Sequence, residues 1–424
     1  MQRRHDDLEP VSSSSTGNDL FAVAAGTSRP ARRFIAGILA AVVMAVLVAV
    51  LAWPRGNGAT DVAPGGDAGN SVVSNITIST AVPRIPGAPF PAFGEWRVVY
   101  LAGDSRLHAV SLDGARDTTG LAAPDLRVAL GSNLGHVAIS ADGRLLAYSN
   151  STSHGSGPVM QAALESVPGP SPLPETSTAF ARELAWSPAS DAFAYLDNRS
   201  SFETAIYVAR APFLAAPTIV PGSRVYENGV TDLEGWLDAT HLLVLANNNA
   251  GNNSLAALDI TSGAVRPIAT IPLTNPRVML NPERTSALVI AQGSSPHAEA
   301  VDLTSGAVRE LPRIAAALPG MLLTDAWQPS AMRLAITAAA PDGDATPASY
   351  LLDLGADTIT PLDGHTWVWG WSPDGAALIL GTPLTVALPG MPPALLALSI
   401  ASDGTIRQQV TLTNAAIGFV GFAF

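Results

Sequence analysis

Residues Leu362–Leu380 read LDGHTWVWGWSPDGAALIL, and degraded copies of this stretch recur through most of the chain that precedes it. Placing Trp371 against Trp327, Leu280, Trp236, Trp186 and Ile139 gives steps of 44, 47, 44, 50 and 47 residues. Nine residues beyond each stands a second apolar side chain: Leu380, Ile336, Val289, Leu245, Tyr195 and Tyr148. A unit of this length cannot bury its apolar face alone and must stack on its neighbours, which is the period of a β-propeller.

Within each unit the order is the same: an apolar stretch ending at the aligned residue, a turn, an apolar strand, a polar loop and another strand. The turns are written in residues that supply tight-turn backbone angles, as in Ser372-Pro373-Asp374-Gly375 and Ser140-Ala141-Asp142-Gly143. A later pair, Ile260-Thr261-Ser262-Gly263 and Leu303-Thr304-Ser305-Gly306, closes the next hairpin and is followed each time by Ala-Val-Arg. The unit is therefore a four-stranded blade. WSPDGAALIL and its relatives resemble the WD-like repeat of TolB-type β-propellers over roughly residues 95–424. No unit carries the Trp-Asp ending of a true WD repeat. The resemblance implies the fold and an extracytoplasmic setting. It does not carry TolB's partners across, because this chain has no α/β domain before its propeller.

Blade count follows from the two ends. WRVVYLAG, RLHAVSL and the stretch after Asp113-Gly114 supply three strands, but Pro91 falls where the innermost strand of that blade should lie. At the other end, Ala416–Phe424 (AIGFVGFAF) is an apolar strand without a blade. Pairing the two gives an all-β, seven-bladed propeller with its ring latched and no open edge; six blades is the alternative.

Ahead of the repeats the composition changes three times. Residues 1–33 are polar and read as a cytoplasmic disordered tail. Phe34–Trp53 (FIAGILAAVVMAVLVAVLAW) is 20 residues without a charge, enough for one transmembrane helix across a core of about 30 Å. Arg29, Arg32 and Arg33 precede it, so the positive-inside rule places the N-terminus in the cytoplasm and the bulk outside the cell membrane. The alternative, a cleaved signal peptide, has a shorter apolar core. Residues 54–94 are rich in Gly, Pro, Ala and Ser and read as a flexible tether with a reach of roughly 35 Å. The folded domain is then 95–424.

Composition narrows the chemistry. All 23 basic residues are arginine, against 35 acidic ones, giving a net charge of −12. Without lysine there is no phosphate-loop lysine, Schiff base or lysine general base. Without cysteine there is no disulfide, thiolate metal site or thiol nucleophile. An acidic chain is no partner for nucleic acid. No two of the seven histidines stand at a metal-binding spacing, and no cofactor is expected. Gly103-Asp104-Ser105 resembles the nucleophile block of GDSL-type esterases, yet Asp104 falls where a turn is required and no histidine follows His365.

The candidate contact residues are for binding. Trp367, Trp369 and Trp371 alternate, so on a regular strand all three face one side, either as an aromatic platform or as packing between blades, with Trp367 the best candidate for exposure. Loops between second and third strands emerge on one rim, and the one holding Asn247, Asn248, Asn249, Asn252 and Asn253 is richest in hydrogen-bonding groups. The expectation is a scaffold or sensor binding a protein or cell-envelope polymer. The rival is a carbohydrate lyase or hydrolase with its site at the channel mouth, for which two or more carboxylates converging there with His or Arg would speak.

Overall fold

The computed structural model describes residues 95–424 apart from 124–125, 127–136, 151–156, 165–169, 178, 199–203, 225–228, 248–252, 274–275, 292–295, 319–320, 330, 340–347, 363–366, 382–394 and 401–404. The predicted tail, membrane span and tether lie outside the described residues. Among the described residues no helix is long and apolar enough to cross a membrane.

Seven four-stranded antiparallel sheets form, and six of them take their strands in chain order. Their innermost strands are Val137–Ile139, Ala181–Trp186, Val230–Trp236, Arg277–Leu280, Met321–Trp327 and Trp367–Trp371, which belong to blades 2 to 7. Each ends at the residue the repeat aligns, or at Ile139 and Leu280 where the copy has lost its tryptophan. The residue that follows begins the turn. Ser372 Oγ donates to Asp374 at 2.5 Å and accepts the Ala377 N–H at 2.9 Å, while Gly375 takes φ +69°. Ser140 and Asp142 repeat this in blade 2, and the Asn281 carboxamide oxygen accepts the Thr285 and Ser286 N–H groups in blade 5. Aspartates 259 and 302 organise the later turns, each accepting two backbone N–H groups at 2.7–2.9 Å.

Blade 1 is split as the two ends of the sequence demand. Ala416–Ala423 is its innermost strand, paired with Arg97–Ala102 from Arg97↔Ala423 to Ala102↔Ala416. The ring is closed by chain that lies more than 300 residues away in sequence, and both edges of the array are used up.

The core lies between blades. Seven apolar clusters are formed, one at each joint of the ring. Val230, Leu233 and Trp236 of blade 4, for example, pack with Ala194, Leu196 and Ile206 of blade 3. Two tryptophans add a polar tie across the joint: the Trp186 indole N–H donates to Ala138 O at 3.0 Å, and that of Trp236 to Ala185 O at 2.9 Å. Each acceptor immediately precedes the aligned residue of the previous blade; the aligned Trp327 and Trp371 make no such bond among the described residues.

The three-tryptophan strand departs from the expected alternation. A bulge between Val368 and Gly370 leaves Trp369 without a partner residue on the neighbouring strand. Inserting one residue reverses the alternation beyond it. Trp371 consequently packs with Val368 in the joint to blade 6, whereas Trp369 packs into the joint to blade 1. The three side chains do not share a face.

Candidate functional site

Trp367 is 8% exposed and lies beside Trp369, ring centroids 6.2 Å apart. Trp369 in turn stacks on Phe419, which meets Phe422 edge-on at 5.5 Å. These aromatics lie in the joint between blade 7 and blade 1, where a Cβ on Gly370 would come within 3.3 Å of both phenylalanine rings and press on them. Of the predicted asparagines, Asn247 is exposed, and its backbone N–H donates to Gly229 O at 2.8 Å. Asn253 is buried, and its side-chain amide donates to Leu273 O at 2.6 Å, which fixes the strand end under the rim. Asn248, Asn249 and Asn252 lie outside the described residues.

A different set of side chains converges from the inner strands of blades 3 to 6. Blade 3 carries Arg182 and Glu183, blade 4 Asp232 and Glu234, blade 5 Arg277 and blade 6 Asp325. Bulges put them there. In blade 3 the pairing jumps from Arg182 to Ala185, and Glu183 adopts φ +55°, a left-handed conformation uncommon outside glycine. In blade 4 Leu233 pairs with Val244 and Gly235 with Leu243, leaving Glu234 bulged between them. Leu233 faces the joint to blade 3, and Gly235 lies against Leu280 of blade 5. Glu234 stands at the bulge between these two contacts and is partly exposed. Bulges redirect side chains in this way, and they gather beside functional sites.

The polar ties run from blade to blade. Glu183 accepts the Leu233 N–H at 3.1 Å, and Arg182 lies 3.6 Å from Asp232 and 3.5 Å from Glu183. Arg277 donates to Leu322 O at 3.1 Å and pairs with Asp325. Four carboxyl groups face two guanidinium groups, so two negative charges are unmatched when all are ionised. The cluster responds by holding protons. Burial, then the Asp232 charge, pushes the Glu183 carboxyl up to about 7, against the pull of Arg182. Burial raises Asp232 as well. Glu234 is raised well above the usual carboxylate range, by burial first and then by the charges of Glu183 and Asp232.

A second polar group sits on blade 1. Tyr100 donates to Asp117 at 2.7 Å, and His108 stacks on the Tyr100 ring with its nitrogens 3.4 Å from Asp104 and 3.7 Å from Asp117. Burial lowers the His108 pKa, but the two aspartates outweigh it and the net shift is upward. Asp104 accepts the Arg106 N–H in the turn, as the hairpin requires, which accounts for the Gly-Asp-Ser sequence without catalysis. Among the described residues no group of three or more His, Asp or Glu is arranged to hold a metal ion.

The inner-strand cluster did have a signal in the sequence. ARELAW, VTDLEGW and MLLTDAW carry charges inside the apolar stretch that precedes an aligned tryptophan. Such violations of a strand's own pattern mark sites where something other than packing sets the residue.

No family model matches the chain, and no curated protein matches it. Among solved structures it is similar to TolB from Acinetobacter baumannii, at 13% identity over 77% of this chain and 82% of that one, with a TM-score of 0.42. It is also similar to a putative TolB from Agrobacterium tumefaciens, at 16% identity, 66% and 96% coverage and a TM-score of 0.44. An oligogalacturonate lyase in complex with manganese is similar at 9% identity, 70% and 83% coverage and a TM-score of 0.48. The sheet topology of the chain itself makes it a seven-bladed β-propeller.

Proposed function

We propose that this protein is a bacterial membrane-anchored scaffold or sensor, held by Phe34–Trp53 with its propeller outside the cytoplasm, and that it binds a protein or an envelope polymer. The observation that supports it is the closed ring. Pairing of Ala416–Ala423 with Arg97–Ala102 completes the first blade from both ends of the propeller sequence, and a rigid array of this kind offers its rims and its axis to a partner. The test is affinity capture by the tagged full-length protein from detergent-solubilised envelope, with a variant lacking Ala416–Phe424 as control. Specific capture by the closed ring alone is expected. Equal capture by both forms, or enrichment of nothing, contradicts the reading. The anchor is tested separately: alkaline extraction leaves an anchored protein in the membrane pellet and releases an unanchored one.

A second reading, a carbohydrate lyase or hydrolase with its site at the channel mouth, is favoured by one observation. Glu183, held near neutral pH beside Asp232 and Arg182, has the protonation behaviour of a general acid or base. Turnover in a glycan screen that is lost in Glu183→Gln establishes it. Binding without turnover leaves the scaffold reading in place.

A further inference from the structure

We propose that His108 is a pH-sensitive fastener of the joint that closes the ring: protonated, it holds Asp104 and Asp117 together beside the start of the closing strand, and neutral, it releases one of them. The inference rests on the geometry of blade 1 and is independent of the binding reading above.

Both nitrogens of His108 face a carboxylate. Nε2 lies 3.4 Å from Asp104, in the turn before its strand, and Nδ1 lies 3.7 Å from Asp117, on the strand after it. A neutral imidazole carries one N–H, so it serves one aspartate and turns a lone pair toward the other; an imidazolium serves both. The ring is held where it can do this. It stacks on Tyr100 with centroids 5.2 Å apart, and its side chain is 16% exposed. His241 also stands between two aspartates, Asp238 and Asp259, but it is 37% exposed and lies on blade 4, where solvent screens the pair.

The group reaches the closing strand through Tyr100. That residue pairs with His108 on one side and with Phe419 of the C-terminal strand on the other. Its ring is buried with Leu412 and Ala416, which flank the turn from which the chain leaves blade 7 to complete blade 1. Its hydroxyl donates to Asp117 at 2.7 Å and accepts a bond from Thr413, whose oxygen takes the Ala415 N–H at 3.1 Å. Asp117 is thus shared between His108 and the hydroxyl that braces the turn. With His108 charged, the Asp117 carboxylate is neutralised where it stands. With His108 neutral, that charge is left to the phenol alone, and the brace weakens.

The direction follows from the groups around the ring. The charges that act on His108 are those of Asp104 and Asp117; Leu412 and Thr413 of blade 7 carry none, and burial keeps the Tyr100 phenol neutral. Burial lowers the His108 pKa, the aspartates raise it further, and the net value lies above the ordinary 6.5. A folded-state pKa above the unfolded one gives a stabilisation that is full below 6.5 and lost as pH rises through the folded-state value. The closing strand is therefore held harder in acid than in alkaline surroundings.

The test is hydrogen exchange on the full-length protein in detergent, followed by mass spectrometry at intervals between about pH 6 and about pH 9, with rates corrected for intrinsic base catalysis. Amides of Ala416–Ala423 are compared with those of Ser286–Ala291 in blade 5, which report any change common to the whole ring. Protection of the closing strand should fall across this range by about threefold or more relative to blade 5. The fall should vanish in His108→Gln, whose side chain cannot be charged, and persist in His241→Gln. Should His108→Gln fail to fold, Asp104→Asn decides: it removes one of the two attractions and should move the fall to lower pH. Equal pH dependence of the two strands in the unaltered protein overturns the inference. So does a fall that survives in His108→Gln, one that is lost in His241→Gln, or one that Asp104→Asn leaves at the same pH.

Discussion

Replacing Trp236 and Trp371 separately by phenylalanine removes the same atoms from two equivalent places in the ring, with different consequences. Both side chains are buried, at 2% and 6% exposure, and both belong to joints between blades. They differ at the indole nitrogen: that of Trp236 donates to Ala185 O at 2.9 Å, whereas that of Trp371 is buried without a partner among the described residues. The shrinkage from indole to phenyl costs about 2 kcal/mol in either joint, a fraction of a full truncation to alanine. Trp236→Phe also loses a buried hydrogen bond and strips a carbonyl of its donor, a further ~1 kcal/mol or more. Trp371→Phe instead deletes an orphaned donor and recovers part of its desolvation penalty, roughly 1 kcal/mol in the opposite direction. The expected costs are therefore about 3 and about 1 kcal/mol, which in a domain of this size separates the melting temperatures by about 4 °C. Differential scanning calorimetry of the two variants beside the parent measures this. Equal melting temperatures, or a lower one for Trp371→Phe, would refute the assignment of the cross-blade bond.

Three further outcomes follow. Gly143 has φ +73°, and a Cβ there would meet Phe424 N at 2.8 Å and Ala423 Cα at 3.0 Å, so Gly143→Ala should lower the melting temperature by several degrees while Gly103→Ala, with nothing within 4 Å, should not. Because the folded-state pKa of Glu183 is raised from 4.5 to about 7, the folded protein holds a proton that the unfolded chain releases; its stabilisation is full below about pH 4.5 and lost as pH rises through 7. Denaturant titrations should show stability falling across that window, by on the order of 3 kcal/mol, with a shallower fall in Glu183→Gln. Tyr100→Phe removes the 2.7 Å bond to Asp117 and should cost about 1–3 kcal/mol in the same titrations.

The fold was legible because it is written many times over. Degraded copies such as Leu280 and Ile139 could be placed by their neighbours' registers, and the orphan strand at Ala416–Phe424 was recognisable because the first blade lacked one. What periodicity could not show was its own interruption. A bulge inserts a residue without changing the residue types around it, so Trp367, Trp369 and Trp371 still alternate on paper while Val368 and Gly370 pair across the gap in the fold. The same device places Glu183 and Glu234, and for the same reason the inner-strand charges read as blemishes in apolar stretches. Asn253 shows the converse limit: composition marked its loop as hydrogen-bonding surface, but its amide is turned inward to Leu273 O. Which side chains meet at the axis depends on joints between blades, and a single unit of sequence contains half of each joint.

The account depends above all on the ring being closed by its C-terminal strand, and thermal unfolding of a variant lacking Ala416–Phe424 tests this most directly. Deletion exposes the buried edge of Arg97–Ala102, removes Val420 and Ala423 from the joint to blade 2, and takes Phe419 and Phe422 from Trp369. The prediction is a melting temperature lower by ten degrees or more, or loss of a cooperative transition. A truncated protein that melts within a degree or two of the full chain would contradict the closed ring.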